Sequence, residues 1–147
     1  MQGVPDFGGV GCREAFLTLG SRQFETVVQF YEGLLSQKSH PYWPNRYAEL
    51  QLPGLRLSIF QPATEHKSEF SQSANSGMSL CLEVADLERA IAHLTALGYP
   101  PPGSIITASH GREIYAYDPD GNRLILHQTH ANRSGGSSSL DDSLAEP

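Results

Sequence analysis

Three residues late in the chain, His110, Glu113 and His127, are of the types that move protons or hold a cation, and Arg56 and Arg123 are of the type that forks onto a carboxylate or phosphate. If Arg123 to Gln128 is a strand, Arg123, Ile125 and His127 share one face, while Glu113 lies across a hairpin with His110 at its tip. Such a group can gather a metal, or work as acid and base with Tyr115 beside it. Glu113, Tyr115 and His127 are therefore the catalytic candidates. Against the metal, no pair has a helical ligand spacing, and turn-tip histidines are usually solvated. His93 is expected on a helix exterior, and His40, His66 and His130 in loops or tail. No Ser-His-Asp or Cys-His context, phosphate-cradling glycine loop or dinucleotide fingerprint is present.

The elements that must position these groups fall into two half-length units. Ala15 to Leu19 suits a short strand. Phe24, Val27, Val28, Tyr31, Leu34 and Leu35 then recur on one helical stripe, with Gly33 weakening its last turn by roughly 1 kcal/mol. The connector His40-Pro41-Tyr42-Trp43-Pro44 reads as rigid, with a faint strand and a lid as the alternative. Arg46 to Leu52 and Leu55 to Phe60 pair across Pro53-Gly54. Residues 63–76 are polar and aperiodic, a linker. The second unit repeats the order: strand Ser79 to Val84, N-cap Asp86, a stripe through Leu87, Ala90, Ile91, Leu94 and Leu97, and a left-handed stop at Gly98. Strands Ile105 to Ser109, Glu113 to Tyr117 and Arg123 to Gln128 follow, the last entered through the turn Asp118-Pro119-Asp120-Gly121-Asn122. Each unit reads βαβββ.

Composition bounds the rest. The chain has 147 residues, 39% hydrophobic and 18% charged, which is one globular domain. A formal charge of −6 argues against nucleic acid as a partner. No apolar run nears the ~20 residues that cross a bilayer, and the start lacks a basic n-region and apolar core, so no membrane partner and a cytoplasmic location are expected. Two cysteines, Cys12 and Cys81, make no disulfide framework. Residues 1–12 are glycine-rich and expected to be flexible, the domain is 13–129 (units 13–62 and 77–129 around linker 63–76), and 130–147 is a Ser/Gly/acidic tail expected to be disordered.

Composition alone leaves a ferredoxin-like α+β sandwich open. Phe30-Tyr31 late in the first helix, Leu57-Ser58-Ile59-Phe60-Gln61-Pro62 ending the first unit, and the Asp118–Asn122 turn decide otherwise. In this order they resemble the vicinal-oxygen-chelate superfamily, which includes glyoxalase I, bleomycin- and fosfomycin-resistance proteins and extradiol dioxygenases. The resemblance implies an α+β fold in which two βαβββ modules form a curved mixed sheet around a cleft, helices outside, commonly as a homodimer. It places the superfamily's four metal-ligand positions on Phe16, Ser58, Met78 and Ile125, none of them a ligand for such a cation.

Alternation then gives the expected ligand-binding lining. The first unit supplies Phe16, Thr18, Arg56, Ser58 and Phe60. The second supplies Met78, Leu80, Leu82, Glu113, Tyr115, Arg123, Ile125 and His127. Tyr115 matches a ligand-contacting tyrosine of related resistance proteins. The expected function is a glyoxalase/bleomycin-resistance-like protein without metal or other cofactor that binds or sequesters a small flat or anionic molecule. The alternatives are a lyase, isomerase or dioxygenase with an atypical site around Glu113 and His127, or a regulatory module meeting a protein partner.

Overall fold

The computed structural model describes residues 8–130. The expectations for residues 1–7 and 131–147 lie outside the described residues. The first unit runs β1 (Leu17–Gly20), α1 (Phe24–Leu35), β2 (Tyr42–Trp43), β3 (Tyr47–Leu52) and β4 (Leu55–Phe60). The second runs β5 (Ser79–Glu83), α2 (Leu87–Leu97), β6 (Ile106–Ala108), β7 (Gly111–Tyr117) and β8 (Arg123–Thr129). Both are βαβββ, as the sequence pattern requires. Each closes its own four-stranded sheet, ordered β1-β4-β3-β2 and β5-β8-β7-β6, so the strands form two sheets and not one shared sheet. In both, the strand before the helix pairs parallel with the last strand of the unit, and the other pairs are antiparallel.

The helices cover one face of each sheet. Leu57 and Ile59 of β4, and Leu124 and Leu126 of β8, are buried against Phe24, Val27, Val28, Leu87 and Leu94. The first helix leaves its last turn through Ser36 in the left-handed region. The second is capped by Asp86, which accepts from the Arg89 N–H at 3.0 Å, and stops at Gly98, φ 97°. Gly33 does more than weaken α1. A Cβ there would stand 2.9 Å from Leu97 Cδ2, and His93 meets the Gly33 carbonyl at 2.8 Å, so the glycine lets the two helices approach.

The Asp118–Asn122 turn ties the units together. The buried Asp118 carboxylate accepts from the backbone N–H groups of Asp120 and Asn122, from the Asn122 amide, and from the Tyr31 hydroxyl at 2.7 Å. Burial and the Asp118 charge hold the Tyr31 phenol well above its ordinary value, so it remains a donor. Gln23 of the first unit adds bonds to the Pro119 carbonyl and the Asp120 carboxylate. The linker is not structureless: residues 64–70 and 73–75 form short 3₁₀ turns, and Phe70 packs edge-on against Phe60.

Candidate functional site

The sheet faces turned away from the helices carry different chemistry. In the first unit, register puts Thr18 beside Ser58, and Tyr47, Glu49 and Gln51 beside Phe60, Ser58 and Arg56. The Arg56 guanidinium lies 3.9 Å from the Phe16 ring centre and pairs with Glu14 at 3.4 Å. Its Nε is buried without a hydrogen-bond partner among the described residues. Tyr47 donates to Glu49 at 2.6 Å, and burial together with that bond raises its phenol above the usual value. The β3 residues are an addition to the expected lining. The Pro53-Gly54 hairpin fixes them opposite β4, and that register was the signal available for finding them.

The open face of the second unit is titratable. Glu113 of β7 and His127 of β8 are direct cross-strand partners. His110, at the β6–β7 tip, stacks on His127 with ring centres 5.1 Å apart and planes 10° from parallel. One ligand atom from each of the three lies within 4.8 Å of the others. Tyr115 shares this face, opposite Ile125, and lines a shallow recess with Pro102 and Ile106. On β5 the facing residues are Ser79, Cys81 and Glu83, paired with Arg123, Ile125 and His127. Glu83 accepts from His127 Nδ1 at 2.6 Å and from the Thr129 N–H and hydroxyl, each at 2.8 Å. Burial pushes its pKa up, but these bonds outweigh burial and the carboxyl ends below its ordinary value. Burial and the charges of Glu113 and Glu83 push the Cys81 thiol up.

This register corrects part of the expected lining. Leu80 and Leu82 pair with Leu124 and Leu126 and pack on the core, so they turn away from His127. Met78 precedes the strand, and Ser79 is the first residue on the open face. Met78 therefore does not stand on the strand face expected of it, and Ser79 takes that place. The physical reason is the ordinary one: in Ser79-Leu80-Cys81-Leu82-Glu83 the more apolar alternation takes the buried side.

Met78 and Leu80 instead line a cavity of about 420 Å³ at the junction of β1 and β5, together with Thr18, Gly20, Phe70 and Arg123. Arg123 is occupied there: its guanidinium donates to Ser79 Oγ at 2.6 Å and to the Ser76 carbonyl at 3.2 Å. Arg56 and Arg123 are each held by local partners, Arg56 by Glu14 and Arg123 by Ser79 and Ser76. Within the His40–Pro44 connector, Tyr42 and Trp43 form β2 and pair with Ala48 and Tyr47.

Residues 15–126 match the model of the Glyoxalase/Bleomycin resistance protein/Dioxygenase superfamily, and the chain belongs to that superfamily. Its fold is shared by a glyoxalase-related enzyme from Fulvimarina pelagi (20% identity, TM-score 0.65, covering 80% of this chain and 88% of that one). The fosfomycin resistance protein from Listeria monocytogenes gives 16% identity and a TM-score of 0.64, over 82% and 95% of the two chains. The bleomycin resistance determinant of transposon Tn5 gives 24% and 0.55, over 81% and 99%. Among curated protein sequences nothing matches. No helix among the described residues is long and apolar enough to cross a membrane.

Proposed function

We propose that this chain binds or sequesters a small organic molecule, flat or anionic, without the metal that many members of its superfamily coordinate. The reading rests on the donor set at the four places to which the superfamily resemblance points, with Ser79 taken in place of Met78 as the open-face residue of β5: a phenyl ring (Phe16), two hydroxyls (Ser58, Ser79) and an alkyl group (Ile125). A divalent cation held in the superfamily's manner does not fit these groups, because neither an aromatic ring nor an alkyl group supplies a lone pair and a neutral hydroxyl is a weak substitute for carboxylate. The junction cavity has the size of a small-ligand site and a mostly apolar wall, with Thr18 as an orienting group. On the open face of the first unit, the stacked Arg56 with its unpartnered Nε offers a place for a carboxylate on a flat ring. A homodimer, as the superfamily resemblance implies, and a cytoplasmic location belong to the same reading.

Native mass spectrometry of untagged protein tests it. The expected result is an adduct of drug-like mass that disappears in Thr18→Trp, which fills the junction cavity, or in Arg56→Ala. Protein that emerges free of small molecules and takes up none from a metabolite extract overturns the reading. A second reading, an enzyme with an atypical site, is favoured by one observation, the pairing of Glu113 with His127 across β7 and β8. Turnover lost in His127→Gln with the fold intact is the result that would establish it.

A further inference from the structure

We propose that His110, Glu113 and His127 form a binding site for one divalent transition-metal ion, displaced along β8 from the position where the superfamily resemblance places a ligand. Four observations on this chain converge there. The first is proximity: a ligand atom from each residue lies within 4.8 Å of the other two. The second is unmet bonding. His127 Nε2 and His110 Nδ1 are both buried, and neither has a hydrogen-bond partner among the described residues.

The third is the tautomer. The Glu83 carboxylate lies 2.6 Å from His127 Nδ1 and accepts from Thr129 as well, so Nδ1–H is the donor that satisfies this contact. Nε2 is then the ring nitrogen left to accept a further partner, and it is the one that is buried and unpartnered. A histidine whose far nitrogen is held by a carboxylate is the usual outer support of a metal ligand. Glu83 is in turn fixed by two bonds from Thr129. The fourth is space. Gly111 has φ 153°, and a Cβ there would sit 3.0 Å from His127 Nε2 and collide with the Gln128 carbonyl, so the glycine keeps the approach to Nε2 open.

Metal–nitrogen bonds of about 2.0–2.1 Å need donors roughly 3.3 Å apart, so the three side chains must close by at most about 1.5 Å. Their placement permits it: His110 sits at a hairpin tip, and the Glu113 carboxylate has no partner among the described residues to give up. Two imidazoles and one carboxylate select zinc, nickel, cobalt or iron over magnesium or calcium, which prefer oxygen donors. Three protein donors leave coordination positions open toward the sheet's exposed side, next to Tyr115. Cys81 lies on the same face but outside the cluster.

The test is titration of the full, untagged, chelator-stripped chain with zinc alone, read by calorimetry. The expected result is one saturable site per chain, undiminished by excess magnesium. Binding should vanish in His127→Gln and in His110→Asn, a turn-tip change that leaves the strands alone. It should weaken about tenfold or more in Glu83→Gln, whose role is to hold the ring. Ser58→Ala and Ile125→Ala should bind as the unaltered chain does. Circular dichroism and thermal unfolding confirm that each variant is folded. No saturable binding, binding competed by magnesium, or binding that survives both histidine changes overturns the proposal. None of these outcomes bears on the small-molecule reading, whose adduct is sought separately.

Discussion

The two modules are built alike and equipped differently. On the helix side they are near copies: Leu57 and Ile59 of β4 occupy the places that Leu124 and Leu126 occupy in β8, all four buried. On the open side, β4 presents Arg56, Ser58 and Phe60, whereas β8 presents Arg123, Ile125 and His127. The first face is aromatic, with Arg56 stacked on Phe16 and paired with Glu14, and with Tyr47 bonded to Glu49. The second gathers two histidines and two carboxylates. Burial of the aliphatic side fixes the repeated topology, which frees the other side to diverge.

Truncating the shared side should break both modules alike, and this is the largest effect expected. Leu57→Ala and Leu124→Ala, each removing a fully buried side chain, should each destabilise the chain by about 2–5 kcal/mol in urea unfolding. Unequal losses, with one near zero, would deny that the modules share one cooperative core. The lock between them comes next. Tyr31→Phe removes the only bond from the first unit to the Asp118 carboxylate found among the described residues and should cost about 1–3 kcal/mol by the same measurement.

Open-face changes should be smaller and should separate the modules. Ser58→Ala, which removes a buried hydroxyl, and Glu113→Gln should each alter stability by about 1 kcal/mol or less, because neither deletes core packing. Their difference should appear only with zinc present: thermal midpoints should rise for Ser58→Ala and stay flat for Glu113→Gln. The smallest effect concerns the exposed pair that joins α2 to β7. Hydrogen bonds from Arg112 hold the Glu88 carboxyl down at about 2, against an ordinary 4.5. Its contribution is therefore complete above pH 4.5 and is lost as pH falls toward 2. The stability gap between the unaltered chain and Glu88→Gln should close over that interval. A gap that widens in acid would reverse the assignment.

Much of the fold was legible because the buried side is written in aliphatic periodicity. The α1 and α2 stripes, the Asp86 cap, the Gly98 stop and the Pro53-Gly54 hairpin all follow from local chemistry. The phase of β5 was equally legible, since Leu80 and Leu82 are its apolar alternation, but assigning them to the cleft inverted it. What local pattern could not reveal was long-range. Glu83 stands 44 residues before His127 and becomes its partner only through the parallel pairing of β5 with β8. Phe30-Tyr31 and Asp118–Asn122 carried the resemblance, and their role is mechanical: Tyr31 and Asp118 meet in one buried bond between modules. The polar linker gave no periodic signal, because its order comes from Phe70 seated on Phe60.

The most direct test of the claim that the modules have diverged on their open faces is an anomalous-diffraction map from crystals of the untagged chain grown with zinc. The account predicts one peak in bonding range of His110, Glu113 and His127, and none between Phe16, Ser58, Ser79 and Ile125. A peak at the second place, or none at the first, would contradict it.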